Sequence, residues 1–392
     1  MNKKEQPIRL LIDGVTIGSP GILQLKYELI ESALENRPSN GQIILLQDAA
    51  HKKIVSSEFV RVDNVKKPAL GWPGRWLWYH MILPMKIKKH KADVLYSLSG
   101  IISHRVRDLC ATVITINNML PFTPREIEHF RLLSKGRIRL RLLQKMYSRS
   151  ARGCDALILH SRHAMTSISK YAGNIRKKSF VVLTGVPRDI SKVKHPPHPN
   201  KKVPFLFAFS TVYWYKNYLN LIRGYKRASL IEKNLPVLII AGFSADKKYV
   251  KRLIQEIEDF ELKDRVLFLG TIPKDKIPLF MHHAVLNLFP SVCETNSVVQ
   301  SEIMGMKGVM ACSRIPPMTE VAGKAAVYFD PFNPDSIADA ILMVCQDRCL
   351  QQELRKKAYR RALELSWKRC GQVIWQATEF AYKQYLNRNK EK

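Results

Sequence analysis

Short apolar runs rich in Ile, Leu and Val, each closed by a polar or turn-forming residue, recur along the first half of the chain. They lie at Ile8 to Asp13, Gln42 to Asp48, Phe59 to Asp63, Asp93 to Ser99, Thr112 to Asn117, Asp155 to His160 and Phe180 to Leu183. Runs of this length and composition are those of strands, and helical-period segments lie between several of them. Strands that alternate with helices form parallel βαβ units, so the pattern predicts a doubly wound sheet with helices on both faces.

The pattern stops at 191–204, where four prolines and four lysines fit neither a helix nor the inside of a sheet. This stretch reads as an interdomain linker, and its His195 and His198 as exposed side chains. The alternation resumes with Phe205 to Ser210, Val237 to Gly242, Val266 to Gly270, Val285 to Phe289, Val309 to Ser313 and Ala326 to Asp330. A helical pattern from Asp335 to about Lys390, broken near Cys349 and Ser366, closes the chain. The expected fold class is therefore α/β, with two Rossmann-like doubly wound parallel-sheet domains facing across a cleft. The domains are placed at 1–190 and 205–366, and a C-terminal helix at 367–392 is expected to return to the first. Open parallel sheets bind ligands beyond the carboxyl ends of their strands, which directs attention to that cleft.

Composition narrows the partners. The 392 residues exceed what one core ordinarily holds, about 250 residues. Lys and Arg number 64 against 33 Asp and Glu, a net charge of +31, which draws polyanions whatever the fold. From Arg131 to Arg152 there are eight Lys or Arg, no acid, and interleaved Leu132, Leu133, Ile138, Leu140, Leu142, Leu143 and Met146. That is a basic amphipathic helix, suited to an anionic membrane surface or to packing its leucines on its own domain. Trp72, Trp76 and Trp78 near Lys86, Lys88, Lys89 and Lys91 fit the same membrane-facing surface, or a core. No run is apolar enough to span a bilayer, and Met1 to Ile12 is broken by Asp13 too early for a signal peptide. A cytoplasmic location is the expectation, peripheral on an anionic membrane surface where the basic helix faces one. Seven scattered cysteines without a CxxC spacing read as reduced thiols, not as a disulfide framework or zinc site.

The strongest local signal is Phe289-Pro-Ser-Val-Cys-Glu294-Thr-Asn-Ser-Val-Val-Gln-Ser-Glu302-Ile-Met-Gly305. A strand runs into a polar loop carrying three successive cap-type residues, Thr295, Asn296 and Ser297, and then into a helix. A helix N-terminus offers free backbone N–H groups and a positive dipole end to a diphosphate, and Glu294 just before it reaches hydroxyls of whatever the phosphate carries. Glu302 lies a turn and a half into the helix. The paired hydroxyls of a ribose would satisfy its two oxygens, while the spacing equally suits an exposed glutamate on the helix's wet face.

These residues resemble the retaining glycosyltransferases of family four, which have the GT-B fold. Two glutamates separated by seven residues, preceded by Pro-Ser, match Glu294 and Glu302. Ile315-Pro-Pro-Met-Thr-Glu320-Val-Ala-Gly323 and Ala326-Val-Tyr-Phe-Asp330-Pro331 look like the family's next turn and strand, and Tyr215-Lys216-Asn217 is similar to its Lys-Asn pair. The resemblance implies Lys216 and Glu294 as catalytic residues, with Lys216 neutralising the departing diphosphate and Glu294 orienting the sugar. It implies Glu302, Thr295, Asn296, Ser297, Ser210, Asn217, Gly18 and Asn117 as donor-binding residues. Gly14, Gly18 and Gly21 follow the first strand like the family's glycine loop. Asn117 replaces a histidine common in relatives, Ser210 an arginine, and Thr184 a His or Asn. The phrase Asn117-Asn118-Met-Leu-Pro-Phe122 resembles a branch acting on bacterial surface polysaccharides. No Asp-x-Asp occurs, so no metal cofactor is expected, and the resemblance implies a nucleoside-diphosphate sugar as donor with a glycan or lipid-linked acceptor. A glycosyltransferase-like binding protein without turnover and, from charge alone, a nucleic-acid-binding protein are the rival readings.

Overall fold

A computed structural model describes residues 7–15, 20–49, 54–66, 72–191 and 203–390. The chain forms two compact units, Met1–Thr184 with Trp367–Lys392, and Gly185–Ser366. The expected linker lies largely outside the described residues, as does Gly18.

The first unit contains β1 (Arg9–Asp13), β2 (Gln42–Asp48), β3 (Val60–Val65), β4 (Val94–Ser97), β5 (Ala111–Thr115), β6 (Ala156–Leu159) and β7 (Ser179–Val181). They form one sheet in the order β3-β2-β1-β4-β5-β6-β7, with every neighbouring pair parallel. Because helices cover both faces, the central strands are buried along their whole length, and β4, β5 and β6 carry no exposed position. The helix Trp367–Lys390 packs on this sheet through Trp367, Cys370, Ile374, Trp375 and Ala381. Trp375 Nε1 donates to the Ala33 carbonyl at 2.9 Å, and the Arg388 guanidinium reaches Asp155 Oδ1 at 2.5 Å.

The second unit contains β8 (Phe205–Phe209), β9 (Val237–Ala241), β10 (Val266–Gly270), β11 (Leu286–Phe289), β12 (Met310–Ser313) and β13 (Val327–Phe329). Its parallel order is β10-β9-β8-β11-β12-β13. Strand succession reverses direction between β8 and β11, so the loops leaving these two strands diverge and leave a crevice at their carboxyl ends. Gly242 sits at φ 147°, where an added Cβ would fall 1.7 Å from the Ser210 carbonyl oxygen. Only glycine lets the chain after β9 approach the β8 loop this closely.

Two surface expectations change. Trp78 is 3% exposed, and its Nε1 donates to buried Asp13 Oδ2 at 3.1 Å, so it belongs to the core and not to a membrane-facing surface. It begins a five-residue π-helical turn, Trp78–Ile82, that turns the ring inward. Trp76 is 60% exposed. The basic helix runs Lys135–Gly153, capped by Ser134, and its apolar residues divide. Leu140 and Leu143 are buried, whereas Ile138 and Leu142 are exposed among the cations, as are Leu132 and Leu133 just before the helix. No helix among the described residues is long and apolar enough to cross a membrane.

Candidate functional site

The loops after β8 and β11 meet at the reversal point of the second sheet. The Tyr215 carbonyl accepts from Val292 N at 2.9 Å and lies 3.3 Å from Ser291 Oγ, which joins the two loops. Lys216, in the short 3-10 turn Trp214–Lys216, then forms an ion pair with Glu294 Oε1, whose same oxygen lies 2.8 Å from Ser291 Oγ. Both charged side chains are about seven-eighths buried, and the Tyr215 and Phe289 rings stand 5.2 and 5.5 Å from Lys216 Nζ. Burial by itself would lower the Lys216 ammonium, but Glu294 and the Tyr215 hydroxyl hold it above its ordinary value. Lys216 is therefore a fixed, fully charged cation in a water-poor setting, where its field is strongest.

Asn217 follows in the left-handed conformation, φ 61°, a region that Asn tolerates better than most residues. It caps the helix Tyr218–Ile231 by position, and its Nδ2 donates to the Pro331 carbonyl at 2.6 Å, joined there by Asn220 Nδ2 at 3.1 Å. This anchors the Lys216 loop to the segment after β13. Ser210 is buried, and its hydroxyl lies 2.7 Å from the Tyr218 hydroxyl.

Across the crevice, Ser297 caps the helix Val298–Gly305, its hydroxyl accepting from Gln300 N at 3.4 Å. Asn296 and Ser297 are buried and Thr295 is half-buried. Glu302 is half-buried, and no hydrogen bond or ion pair reaches its carboxyl among the described residues. Burial, with a contribution from Asp189, pushes it up to about 8 against the pull of Lys274. Lys274 and Asp189 are themselves paired at 2.5 Å. An acid held in this state lacks a partner that a hydroxyl-bearing ligand would supply.

The structure thus brings Lys216, Asn217, Glu294, Thr295, Asn296, Ser297, Glu302 and Ser210 into the second unit, around or beneath the β8 and β11 loops. Asn117 stands in the first unit, just beyond β5, with both side-chain amide atoms buried and without a partner among the described residues. Sequence reasoning gave no role to Ser291, Tyr215 or Asp189. The Pro-Ser dipeptide three residues before Glu294 was a visible signal for Ser291, and nothing local marked the other two.

These features define a GT-B-type protein: two parallel α/β units, with a cation and two acids placed at one sheet's reversal point. Residues 189–361 match the family model described as glycosyl transferases group 1. Two curated relatives are similar, each at 25% identity. The O-antigen chain mannosyltransferase B of Escherichia coli aligns over 155 residues, 40% of either chain. The O-antigen chain mannosyltransferase RfbU of Salmonella typhimurium aligns over 205 residues, 51% of this chain and 55% of that one. The match therefore spans about half the length of these relatives. Among solved structures, Anabaena HepE in complex with UDP superposes with a TM-score of 0.68 at 18% identity, covering 94% of this chain and 98% of that one.

Proposed function

We propose that the protein is a retaining glycosyltransferase that moves a sugar from a nucleoside diphosphate to a glycan or lipid-linked acceptor in bacterial surface polysaccharide synthesis. The observation that carries this reading is the Lys216–Glu294 pair at the β8–β11 reversal point, one loop away from a capped helix bearing the unpartnered Glu302. The diphosphate lies against Lys216 and the helix start at Thr295 to Ser297, and the ribose hydroxyls bond to Glu302. Glu294 accepts from sugar hydroxyls. The acceptor hydroxyl forms the new bond to the anomeric carbon on the face from which the diphosphate leaves. Its proton passes to the departing phosphate oxygen, and Lys216 holds the charge that develops there. Among the described residues we assign no side chain as a nucleophile, and no metal enters the proposed reaction.

Mannose is the first sugar to test, because both curated relatives are named mannosyltransferases. The exposed Leu132, Leu133, Ile138 and Leu142 among the cations of the Arg131–Arg152 segment support contact with the anionic cytoplasmic face of the inner membrane, at about 1 kcal/mol per cation.

A thermal-shift screen over UDP, GDP, dTDP and ADP sugars, followed by nucleotide release with and without EDTA, tests the proposal. One sugar nucleotide is expected to stabilise the protein and to turn over unchanged in EDTA, with Glu294→Ala slowed about 100-fold or more. Binding without turnover in the intact protein supports the non-catalytic reading instead, and loss of turnover in EDTA contradicts the metal-free mechanism.

A further inference from the structure

The amino ends of β11 and β12, the opposite edge of the sheet from Lys216, border a second cavity of about 420 Å³. His282, His283, Lys307, Arg355, Lys356 and Tyr359 line it. Five of these six are basic or titrate to a cation, and no carboxylate is among them.

Part of the cluster has a structural explanation. Arg355 Nη1 donates to the carbonyls of His282 (2.9 Å) and Lys307 (3.0 Å), and Nη2 to that of Ala284 (3.3 Å). His282 Nδ1 lies 2.8 Å from the Met306 carbonyl. These contacts satisfy carbonyls at the ends of the helices Ile277–His283 and Val298–Gly305, where cations also suit the helix dipole.

Lys307 and Lys356 are not explained in this way. Both are exposed, and no hydrogen bond or ion pair engages either ammonium among the described residues. Lys307 occupies the left-handed position of a Schellman motif, with its N–H bonded to the Met304 carbonyl at 3.0 Å and the Gly308 N–H to that of Ile303 at 2.8 Å. Glycine ordinarily fills this position, and a side chain there costs about 1 kcal/mol. The retained side chain lays its ammonium 4.4 Å over the Tyr359 ring, at the rim of the cavity. Burial lowers the His282 imidazole against the pull of the Met306 carbonyl, and the neighbouring His283, Arg355 and Lys307 lower it further.

We propose that this cavity binds a phosphate group, as a mono- or diphosphate, separately from the donor site. Lys307 and Lys356 supply the charge, and the Nε–H of Arg355, which has no protein acceptor among the described residues, supplies a directed donor. The proposal stands whether or not the second unit transfers sugars.

The test follows the His282 Cε1 signal of the full, ¹³C-histidine-labelled chain during titration with inorganic phosphate, with pyrophosphate, and with phosphatidylglycerol in phosphatidylcholine vesicles. A saturable change with the soluble anions is expected, weakened about tenfold or more in the Lys307→Glu/Lys356→Glu double variant. Lys307→Gly separates binding from folding, since it relieves backbone strain and is expected to keep or raise stability while weakening the titration. Competition by the vesicles assigns the phosphate to a lipid headgroup, and its absence assigns it to a soluble compound. An unchanged His282 signal with every probe, or equal affinity in the double variant, overturns the proposal.

Discussion

Replacing Glu302 with glutamine is expected to make the ligand-free protein more stable at alkaline pH and no more stable in acid. Burial raises this carboxyl from about 4.5 to about 8, so the folded chain keeps a proton that the unfolded chain has released. Stability must then fall as pH climbs from the ordinary carboxyl range to about 8, and this contribution levels off above that. A displacement of about 3.5 units corresponds to a ceiling of about 5 kcal/mol, and residual solvent access at the half-buried side chain reduces the measurable part to about 2 to 4 kcal/mol. Glu302→Gln stays neutral throughout. Urea unfolding at about pH 5, 7 and 8.5 is expected to show near-equal stabilities in acid and a variant more stable by that margin at the alkaline end. The same state makes donor binding proton-linked. If the carboxylate grips the ribose, binding near pH 7 releases up to about one proton, measurable by calorimetry in buffers of different ionisation enthalpy. A variant less stable than the parent at about pH 8.5, or parallel stability curves, would refute the assignment of burial as the cause.

Two further substitutions test the packing around the site and beneath the first sheet. Lys216→Met alone leaves Glu294 buried without its cation and is expected to cost about 3 to 5 kcal/mol in denaturant unfolding, while Lys216→Met/Glu294→Gln recovers most of that loss without recovering turnover; a double variant as unstable as the summed singles contradicts the pair. Trp78→Phe removes the Nε1–H donor and leaves Asp13 with the 3.2 Å bond from Val15 N, an expected loss of about 1 to 3 kcal/mol, and unchanged stability would return Trp78 to a surface role.

What the sequence made legible follows from how far each signal reaches along the chain. All thirteen apolar runs became strands of parallel sheets, because a strand buried on both faces must be apolar along its length and that requirement is local. Many ends shifted by a residue or two, in the fully buried β4, β5 and β6 as well as at the sheet's edge, because the apolar run does not mark where ladder pairing stops. The run at Phe59 to Asp63 became Val60–Val65, an edge strand whose half-exposed positions carry no strong pattern. The Ser297 cap and the helix after it were readable from adjacent residues. Trp78 was not, since its partner Asp13 lies 65 residues away and the π-helical turn that aims the ring has no periodic signature. Glu302 shows the same limit. Helical spacing placed it on the helix, but only the fold brings Asp189 and Lys274 near it and decides that it is half-buried and unpartnered.

The central claim is that a sugar nucleotide docks where β11 turns into the helix Val298–Gly305, against the loop that carries Lys216. Hydrogen–deuterium exchange of the full chain, with and without the sugar nucleotide that stabilises it most, measures this directly. The account predicts slowed exchange in the peptides covering 213–218 and 290–301. Saturating ligand that leaves both segments unchanged, with protection appearing elsewhere in the chain, would contradict it.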